Sequence, residues 1–330
     1  MKNTFQSLRR AALLTAMGLA LAPASWAQGA ANYPAPGSTI KIVVGYAPGG
    51  PTDLAARLIA GKLQTAFGVN VVVENKPGAG SNTASELVAA AEPNGYTLLV
   101  AAAPLASNPH FFKKIRFDPI KSFEPISQIM SAPSILSVVP TSYKSVAEVV
   151  DAARKNPGKL SYASSGPAGT QHFAGELFSQ KAGVQLLHVP YKGSAPALND
   201  LMGGQVSMGF ITSLGAVPYY TSGKLRPLAV AAKKRLAMLP DVPTMAEAGF
   251  PGVEMDSWSG VLAPARTPAD IVAKLHREVV KALQSPDVRE KLTSQGAEVV
   301  ASSPAEFKAF IAHENQVMGQ LAKIINLTLD

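Results

Sequence analysis

The sequence predicts an α/β protein, because short apolar runs alternate with helix-like segments from Ile40 onward. That alternation is typical of parallel strands joined by crossover helices. The runs are almost continuously apolar, as expected for sheets covered on both faces. Roughly 300 residues beyond a short N-terminal segment are also enough for two domains. The predicted strands are Ile40–Tyr46, Val69–Val73, Tyr96–Ala102, Ile135–Val139, Leu160–Ala163, Leu186–Val189, Val206–Ile211 and Leu228–Ala231.

Three helices are predicted to close the chain, because a serine or threonine followed by proline marks each start. No low-complexity linker divides the chain, so we expect strands that cross between two lobes. Residues 28–130 and 250–330 would form a discontinuous first lobe, and residues 131–249 the second. The three helix starts are Thr267-Pro268, Ser285-Pro286 and Ser303-Pro304, with the last helix over about Pro304–Ile325.

Residues 1–27 have the pattern of a signal peptide. Lys2, Arg9 and Arg10 form a basic start, and the apolar run over residues 11–22 is too short to cross a bilayer. Small residues before Ala27 predict cleavage after it. Secretory export and a twin-arginine route through Arg9-Arg10 both remain open. Either route predicts a periplasmic location.

Charge and residue types exclude several classes of function. The formal net charge of +8 falls to +5 once Lys2, Arg9 and Arg10 are removed. A modest positive field favours small anionic ligands, but the cations are dispersed and lack an aromatic platform, so nucleic acid is not an expected partner. The absence of cysteine excludes disulfides and thiolate metal sites. We expect a monomer without a metal or cofactor.

The first candidate site is the glycine-containing turn Tyr46–Asp53, which follows an apolar strand and precedes a helical run over Leu54–Phe67. In an open α/β sheet, ligands bind beyond the carboxyl ends of strands, and unpaired N–H groups at a helix start attract anions. The alternative is a structural turn in which Gly50 caps the helix and Asp53 complements its dipole. The spacing fits neither a dinucleotide fingerprint nor a phosphate loop.

A second turn of the same kind is Ser161–His172, which again joins a strand to a helical run. Two such turns on different lobes could hold opposite ends of one carboxylate. The alternative is that Ser165 or Thr170 only caps the helix. His172 is either a ligand contact or a satisfied histidine at the rim.

Two further loops are weaker candidates. The glycines of Lys76–Thr83 suggest a close approach of backbone, but Thr83 and Glu86 also predict a capping box. After Ala102, small residues leave room for a ligand and Ser107 and Asn108 could donate to it, although an ordinary loop explains them equally well.

At these turns the chain resembles the receptor proteins of tripartite tricarboxylate transporters, the Bug or TctC family. The resemblance covers nearly the whole chain after the signal segment, and it rests on several motifs in the family's order. They are Tyr46–Asp53, Asn75–Gly80, Pro93–Leu99, Ser164–Gly166 with Gly169-Thr170, His188–Gly193, Gly203–Val206, and Ser257-Trp258 with Gly260 and Pro264.

The resemblance implies a type II periplasmic binding protein fold, in which two α/β lobes close on a small carboxylate in a central cleft. It implies backbone donors in place of a salt bridge, and delivery of the ligand to membrane transporter subunits of the tripartite tricarboxylate type. From the turns and the resemblance together, the predicted ligand contacts are Tyr46, Pro48, Gly49, Gly50, Asp53, Ser81, Asn82, Ala102, Ala103, Ser164, Ser165, Gly166, Gly169, Thr170, His172, Thr212, Ser213 and Trp258.

Three positions depart from the family's pattern. Ile211 stands where many members have aspartate, and it offers no partner to an ammonium, which disfavours amino acids against aliphatic or aromatic carboxylates. Ser81 replaces a usual glycine and Ser259 a usual aromatic residue, which predicts a more polar and roomier pocket. Trp258 is either a pocket wall or a core residue.

An enzyme is not predicted, since the chain has no nucleophile elbow, no cysteine, and no second histidine to make a zinc motif of His313-Glu314. A hydrolase would need a serine such as Ser165 within reach of a histidine that a carboxylate orients, and His172 is the nearby candidate. The main alternative to transport is a ligand-sensing partner of a membrane sensor kinase, which would use the same fold and pocket.

Overall fold

The structure is a computed structural model, and it describes residues 32–325 and residue 329. The predicted signal peptide, residues 1–27, lies outside the described residues. Within the described part of the chain, every helix is too short or too polar to cross a membrane.

Ten strands pair into one continuous sheet across the described residues. All eight predicted strands are confirmed, each overlapping an observed strand. The strands are β1 Thr39–Val44, β2 Asn70–Asn75, β3 Thr97–Ala102, β4 Phe123–Val138, β5 Ser161–Ser164, β6 Leu187–Pro190, β7 Met208–Thr212, β8 Arg226–Val230, β9 Asp256–Pro264 and β10 Glu298–Val299.

Helices follow most strands, as the α/β pattern predicts. A short 3₁₀ turn at Ala79–Ser81 leads directly into the second helix. The α-helices are α1 Pro51–Phe67, α2 Asn82–Ala89, α3 Pro104–Phe111, α4 Val146–Lys155, α5 Thr170–Ala182, α6 Ser194–Met202, α7 Ser213–Thr221, α8 Ala269–Gln284, α9 Pro286–Thr293 and α10 Pro304–Ile324.

The sheet is mixed, so the expectation of a parallel sheet is only partly right. Its order is β2-β1-β3-β9-β4-β7-β5-β6, with β8 and β10 also pairing with β4. Two pairs of strands that are joined by a single helix, β1 with β2 and β5 with β6, are parallel. The pairs that involve β4 or β9 are antiparallel. Because these two strands return through the middle of the sheet, they split it into two parallel halves.

The long strand β4 connects the two halves. Its first part pairs with β9 and β10, and its second part pairs with β7 and β8. The sequence predicted only its last residues, and it predicted neither β9 nor β10. Pro125 and two register shifts interrupt the alternation of β4, while Ser257, Ser259 and Gly260 dilute the apolar character of β9.

The two halves of the sheet have separate hydrophobic cores, one on the β1–β3 side and two on the β5–β8 side. Val43, Leu99 and Phe307 belong to the core on the β1–β3 side, whereas Phe178 and Phe210 belong to a core on the β5–β8 side. A further cluster links the halves through the contact of Phe111 with Phe173, whose ring centroids are 4.8 Å apart. The second core on the β5–β8 side, separate from that of Phe178 and Phe210, includes Ile135, Ala197, Leu201, Ile211 and Val230.

The predicted helix starts are confirmed in two of three cases. Ser303 forms a complete capping box with Glu306, and Ser285 occupies the N-cap before Pro286. Thr267 does not cap α8, because Pro268 takes the N-cap position and the Thr267 hydroxyl donates to Pro264 O at 2.8 Å.

The capping box predicted for Thr83 and Glu86 is wrong. Helix α2 begins at Asn82, one residue before Thr83, with Ser81 at the N-cap in the left-handed region. Glu86 instead accepts from the backbone N–H of Arg116 at 3.2 Å. The Glu86 carboxylate therefore binds a backbone group distant in sequence, and not the helix start as the local pattern predicts.

Candidate functional site

The predicted turns meet around one narrow cavity, to which both halves of the sheet contribute. None of its thirteen lining residues carries a charged side chain, and most present a hydroxyl, a backbone group or a small apolar surface. The lining residues are Tyr46, Gly50, Pro51, Thr52, Ala102, Ala103, Pro104, Ser165, Gly169, Thr170, Ser194, Thr212 and Ser257.

Four helices with a regular first turn begin at this lining: α1 after Gly50, α3 after Ala103, α5 after Gly169 and α6 after Gly193. Helix α7 also follows a lining residue, Thr212, but its first turn is broken at Leu214 and Gly215. None of the four has a side-chain N-cap hydrogen bond within the described residues. The first N–H groups of a helix lack intrahelical acceptors, and the helix dipole adds partial positive charge there. The helix starts therefore direct partial positive charge toward the cavity, whose lining has no lysine or arginine.

The first turn is held from behind by a buried acid. Asp53, which is 3 % exposed, accepts from Gly49 N–H at 3.0 Å and from Arg57 Nε at 2.9 Å. Asn75 Nδ2 donates to both Asp53 Oδ1 and Tyr46 O, each at 2.9 Å. Burial acts to raise the pKa of Asp53, but these hydrogen bonds outweigh it and hold the pKa below its usual value. Asp53 thus shapes the turn and does not line the cavity.

The first turn has the features of the structural alternative, and part of it also lines the cavity. Gly50 is the N-cap of α1 and Asp53 lies in its first turn, as the structural alternative predicts. Tyr46 and Gly50 nevertheless line the cavity, while Pro48 and Gly49 are exposed outside its lining. Burial raises the pKa of Tyr46, so its phenol stays neutral.

Substitution Asp53→Asn is expected to destabilise the protein by about 2 kcal/mol, because a buried hydrogen-bonded carboxylate is lost and Gly49 N–H loses a charged acceptor. Urea unfolding of the two proteins measures this difference. The matched control is Asp287→Asn, since Asp287 forms an exposed ion pair with Lys62 and its loss should leave the unfolding midpoint unchanged. Equal effects of the two substitutions would contradict the bracing role of Asp53.

The second turn divides into a face toward the cavity and a face toward the interior. Ser165, Gly169 and Thr170 line the cavity. Ser164 turns inward, where its hydroxyl lies 2.6 Å from His188 Nε2. His172 also faces away from the cavity, and its Nδ1 accepts from Ala168 N–H at 3.1 Å. Ser164 and His172 therefore support the turn from behind.

The two histidine rings stack, with centroids 3.7 Å apart. Burial lowers the pKa of His172 to about 4. Burial, together with the charge that His172 can carry, lowers the pKa of His188 to about 3. Both rings are therefore neutral at neutral pH.

The geometry that a hydrolase requires is not formed among the described residues. Ser165 N–H is bonded to Gln171 and its hydroxyl has no histidine partner. The Ser164–His188 pair lies outside the cavity lining, and the described ion pair of Glu176 is with His172, 3.7 Å away. The described residues also include no cluster of three histidine or acidic side chains that could hold a metal ion.

The third loop contributes to a neighbouring cavity. Ser81 and Gly166 line this second cavity, together with Tyr46 and Ser165. Asn82 lies behind it and accepts from Asn108 Nδ2 at 2.6 Å. The predicted donors Ser107 and Asn108 are thus already used, since Ser107 donates to Ala168 O at 2.6 Å.

Three further residues lie away from the cavity. Trp258 is 1 % exposed and packs against Phe307 and Phe310, so it is a core residue. The Ser213 hydroxyl donates to Gly296 O at 3.1 Å. Ile211 is fully buried in a core, so the lack of a partner for an ammonium follows from the lining itself, which has no acidic side chain.

Sequence reasoning did not single out Pro104, Ser194 or Ser257. Ser194 had a usable signal, because Gly193-Ser194 stands between a strand and a helix in the same way as the other two turns. Ser257 lies on β9, a strand that the sequence did not predict. Ala47 N–H donates to Lys192 O at 2.7 Å, so the first turn and this third one touch directly.

Comparison with known proteins identifies a matching family and several similar proteins. The family model described as "Tripartite tricarboxylate transporter family receptor" matches residues 55–327. Protein BugT of Bordetella pertussis is 34 % identical over 92 % of this chain and 94 % of its own length. A protein encoded in the tcbD-tcbE intergenic region of a Pseudomonas species is 38 % identical over 82 % of this chain and 81 % of its own.

Solved structures agree with the fold. The periplasmic binding protein BugD has a TM-score of 0.84 at 35 % identity, covering 88 % of this chain and 98 % of its own. An R. palustris protein solved with adipate has a TM-score of 0.83 at 36 % identity, covering 86 % and 96 %. MatC from Rhodopseudomonas palustris with bound malate has a TM-score of 0.83 at 33 % identity, covering 86 % and 98 %.

These likenesses confirm the predicted α/β fold of the periplasmic binding proteins, with two lobes around a central cleft. They also confirm that the protein is a binding protein and not an enzyme, because the matching family is a family of receptors. The chain belongs to the tripartite tricarboxylate transporter receptor family.

Proposed function

We propose that the protein is a periplasmic receptor that captures a small carboxylate in the cavity at the four helix starts and delivers it to a membrane transporter of the tripartite tricarboxylate type. The observation that carries this proposal is the convergence of four uncapped helix N-termini on a lining without charged side chains. Such a site attracts an anion and offers no acidic side chain to a cation.

Carboxylates fit this lining better than zwitterionic ligands such as amino acids. Neutral hydroxyl and N–H donors can surround each carboxylate group without a salt bridge. An amino acid would bring an ammonium into a cavity that has no acidic side chain. The adipate and malate bound to two similar proteins support the same ligand class.

We further propose that the lobes comprise residues 28–130 with 250–330, and residues 131–249. Strands β4 and β9 would connect them, as the absence of a linker suggests. The contacts Ala47 N–H to Lys192 O and Ser107 Oγ to Ala168 O join the two proposed lobes around the cavity. A ligand that touches both lobes would stabilise this closed arrangement by its differential affinity.

A thermal-shift screen of residues 28–330, refolded to remove carried-over ligand, tests the ligand class. The panel comprises citrate, short dicarboxylates including adipate and malate, nicotinate, aromatic dicarboxylates and acidic amino acids. At least one simple carboxylate should raise the melting temperature in proportion to RT ln(1 + [L]/Kd), and acidic amino acids should not. If no carboxylate stabilises the protein, the anion cavity is not its binding site.

A further inference from the structure

Gln171 is a buried amide that touches three cavity residues from three different segments of the chain. It is the second residue of α5 and 1 % exposed. Its Oε1 accepts from Ser165 N–H at 2.6 Å. Its Nε2 donates to Thr212 Oγ1 at 2.8 Å and, more weakly, to Ser194 Oγ at 3.4 Å. The side chain lies behind the lining and connects its parts.

In this series of hydrogen bonds, the bond from Ser165 N–H fixes the direction of the others. A backbone N–H can only donate, so the atom of Gln171 that faces Ser165 must be the amide oxygen. The NH₂ group then faces the hydroxyls of Thr212 and Ser194, and an NH₂ group can only donate. Both hydroxyl oxygens are therefore acceptors toward Gln171, and each keeps its own proton for another partner.

The hydroxyl protons of Thr212 and Ser194 can find an acceptor only in the cavity. Among residues 32–325 and 329, neither hydroxyl has an acceptor for its proton. Thr212 is 1 % and Ser194 6 % exposed, and both line the cavity. A buried donor without an acceptor is costly, so both protons point to the space that the ligand would occupy.

A pair of oriented donors distinguishes an ionised carboxylate from the carboxamide of the same shape. A carboxylate accepts at both oxygens, and a hydrogen bond to a charged acceptor is roughly twice as strong as one to a neutral acceptor. A carboxamide presents an NH₂ group on one side, where it would meet a donor instead of an acceptor. Buried groups left unpaired in this way are a strong source of discrimination.

We propose that Gln171 is a positioning residue that holds the hydroxyls of Thr212 and Ser194 as donors and thereby makes the cavity selective for an ionised carboxylate over a carboxamide. This inference rests on the proposed function, since it concerns the same cavity. It assigns the choice between charged and neutral ligands to a residue that lies outside the lining.

Gln171→Glu tests the inference, because glutamate keeps the shape and still accepts from Ser165 N–H. Its second oxygen cannot donate, so the protons of Thr212 and Ser194 turn toward it and their lone pairs face the cavity. The control is Gln180→Glu, which makes the same charge change on an exposed position of the same helix. Acetate and acetamide serve as the probes, and binding to each protein is measured by saturation-transfer NMR.

We expect the wild-type protein and Gln180→Glu to prefer acetate by at least about tenfold, and Gln171→Glu to lose that preference. If wild type shows no preference, the carboxylate cavity itself is wrong. If wild type and Gln171→Glu show the same preference, the role of Gln171 is wrong while the proposed function stands.

A second pair of variants covers the case in which Gln171→Glu does not fold. Thr212→Val removes the donor hydroxyl at nearly constant shape, and Thr212→Ser retains it. The valine variant should lose most of the preference for acetate, and the serine variant should keep it. Unchanged preference in the valine variant would show that the Thr212 proton does not serve the ligand, and would overturn the inference.

Discussion

Replacing Gly169 with glutamate is expected to abolish carboxylate binding while the protein still folds. Gly169 lines the cavity as the N-cap of α5 with φ of −87°, a conformation open to any residue. A Cβ built there has its nearest neighbours at 3.5 Å or more, so the larger side chain must enter the cavity. It would occupy the ligand's space and place a second negative charge there. Since like charges in contact cost several kcal/mol, affinity should fall at least about 100-fold.

The control for this prediction is Gly61→Glu, an exposed position of α1 where a Cβ would meet nothing within 4 Å. Isothermal titration with adipate and malate measures binding, and thermal unfolding measures the fold. Gly166→Glu is a poorer variant, because Gly166 has φ of +148° and a Cβ there would lie 3.3 Å from Tyr191 O. If Gly169→Glu bound these ligands as wild type does, the ligand would have to lie elsewhere, and the neighbouring cavity would be the first alternative.

The parts of the site that the sequence predicts are those with a local signal. A strand that ends in glycine and small residues before a helix occurs at Tyr46–Asp53 and again at Ser161–His172, and both turns reach the cavity. The exposed backbone N–H groups result from that local order of elements, so distant residues are not needed to recognise them. Gly193-Ser194 follows the same rule, but neither residue is among the predicted ligand contacts.

Side-chain roles were harder to predict, because they depend on partners far away in sequence. Asp53 sits in a turn that forms the site, yet Asn75 and Arg57 hold its carboxylate behind that turn. Trp258 belongs to a family motif, yet it packs against Phe307 and Phe310 in the core. Strand β9 shows the same limit, since its sequence lacks a clear strand pattern and its pairing partners β3 and β4 lie far away along the chain.

Acidification is expected to destabilise the protein between about pH 6.5 and pH 4.5 through His172 and His188. The pKa values of these residues are lowered to about 4 and about 3, mainly by burial. The titratable groups that face the pair are Glu176, 3.7 Å from His172 Nε2, and Tyr162, which stacks on His188 and donates to Glu176 at 2.7 Å. Glu176 would favour a charged His172, so burial prevails over this attraction.

The direction of this pH effect follows from the number of protons that the folded and the unfolded chain bind. Above the usual histidine pKa of about 6.5, both rings are neutral in the folded and the unfolded chain, and stability does not depend on them. Below it, the unfolded chain binds protons that the folded chain does not, so the free energy of unfolding falls with pH. Each histidine contributes up to about 1.4 kcal/mol per pH unit in this window. The slope levels off as the pH approaches the folded pKa of about 4 for His172.

The double variant His172→Asn with His188→Gln tests this origin, because both amides keep an acceptor or donor near the replaced nitrogen and cannot titrate. Urea unfolding from pH 7 to pH 4.5 should show a much flatter profile than wild type, while the exposed control His313→Gln should keep the wild-type slope. An equally steep profile in the double variant would show that other groups cause the loss of stability.

Because Ala168 N–H donates to His172 and Ser164 contacts His188, the first structure strained by protonation is the second turn of the cavity. Both rings stay neutral in the folded protein until the pH approaches about 4, so carboxylate affinity should remain level from pH 7 to pH 4.5 in wild type and in the double variant.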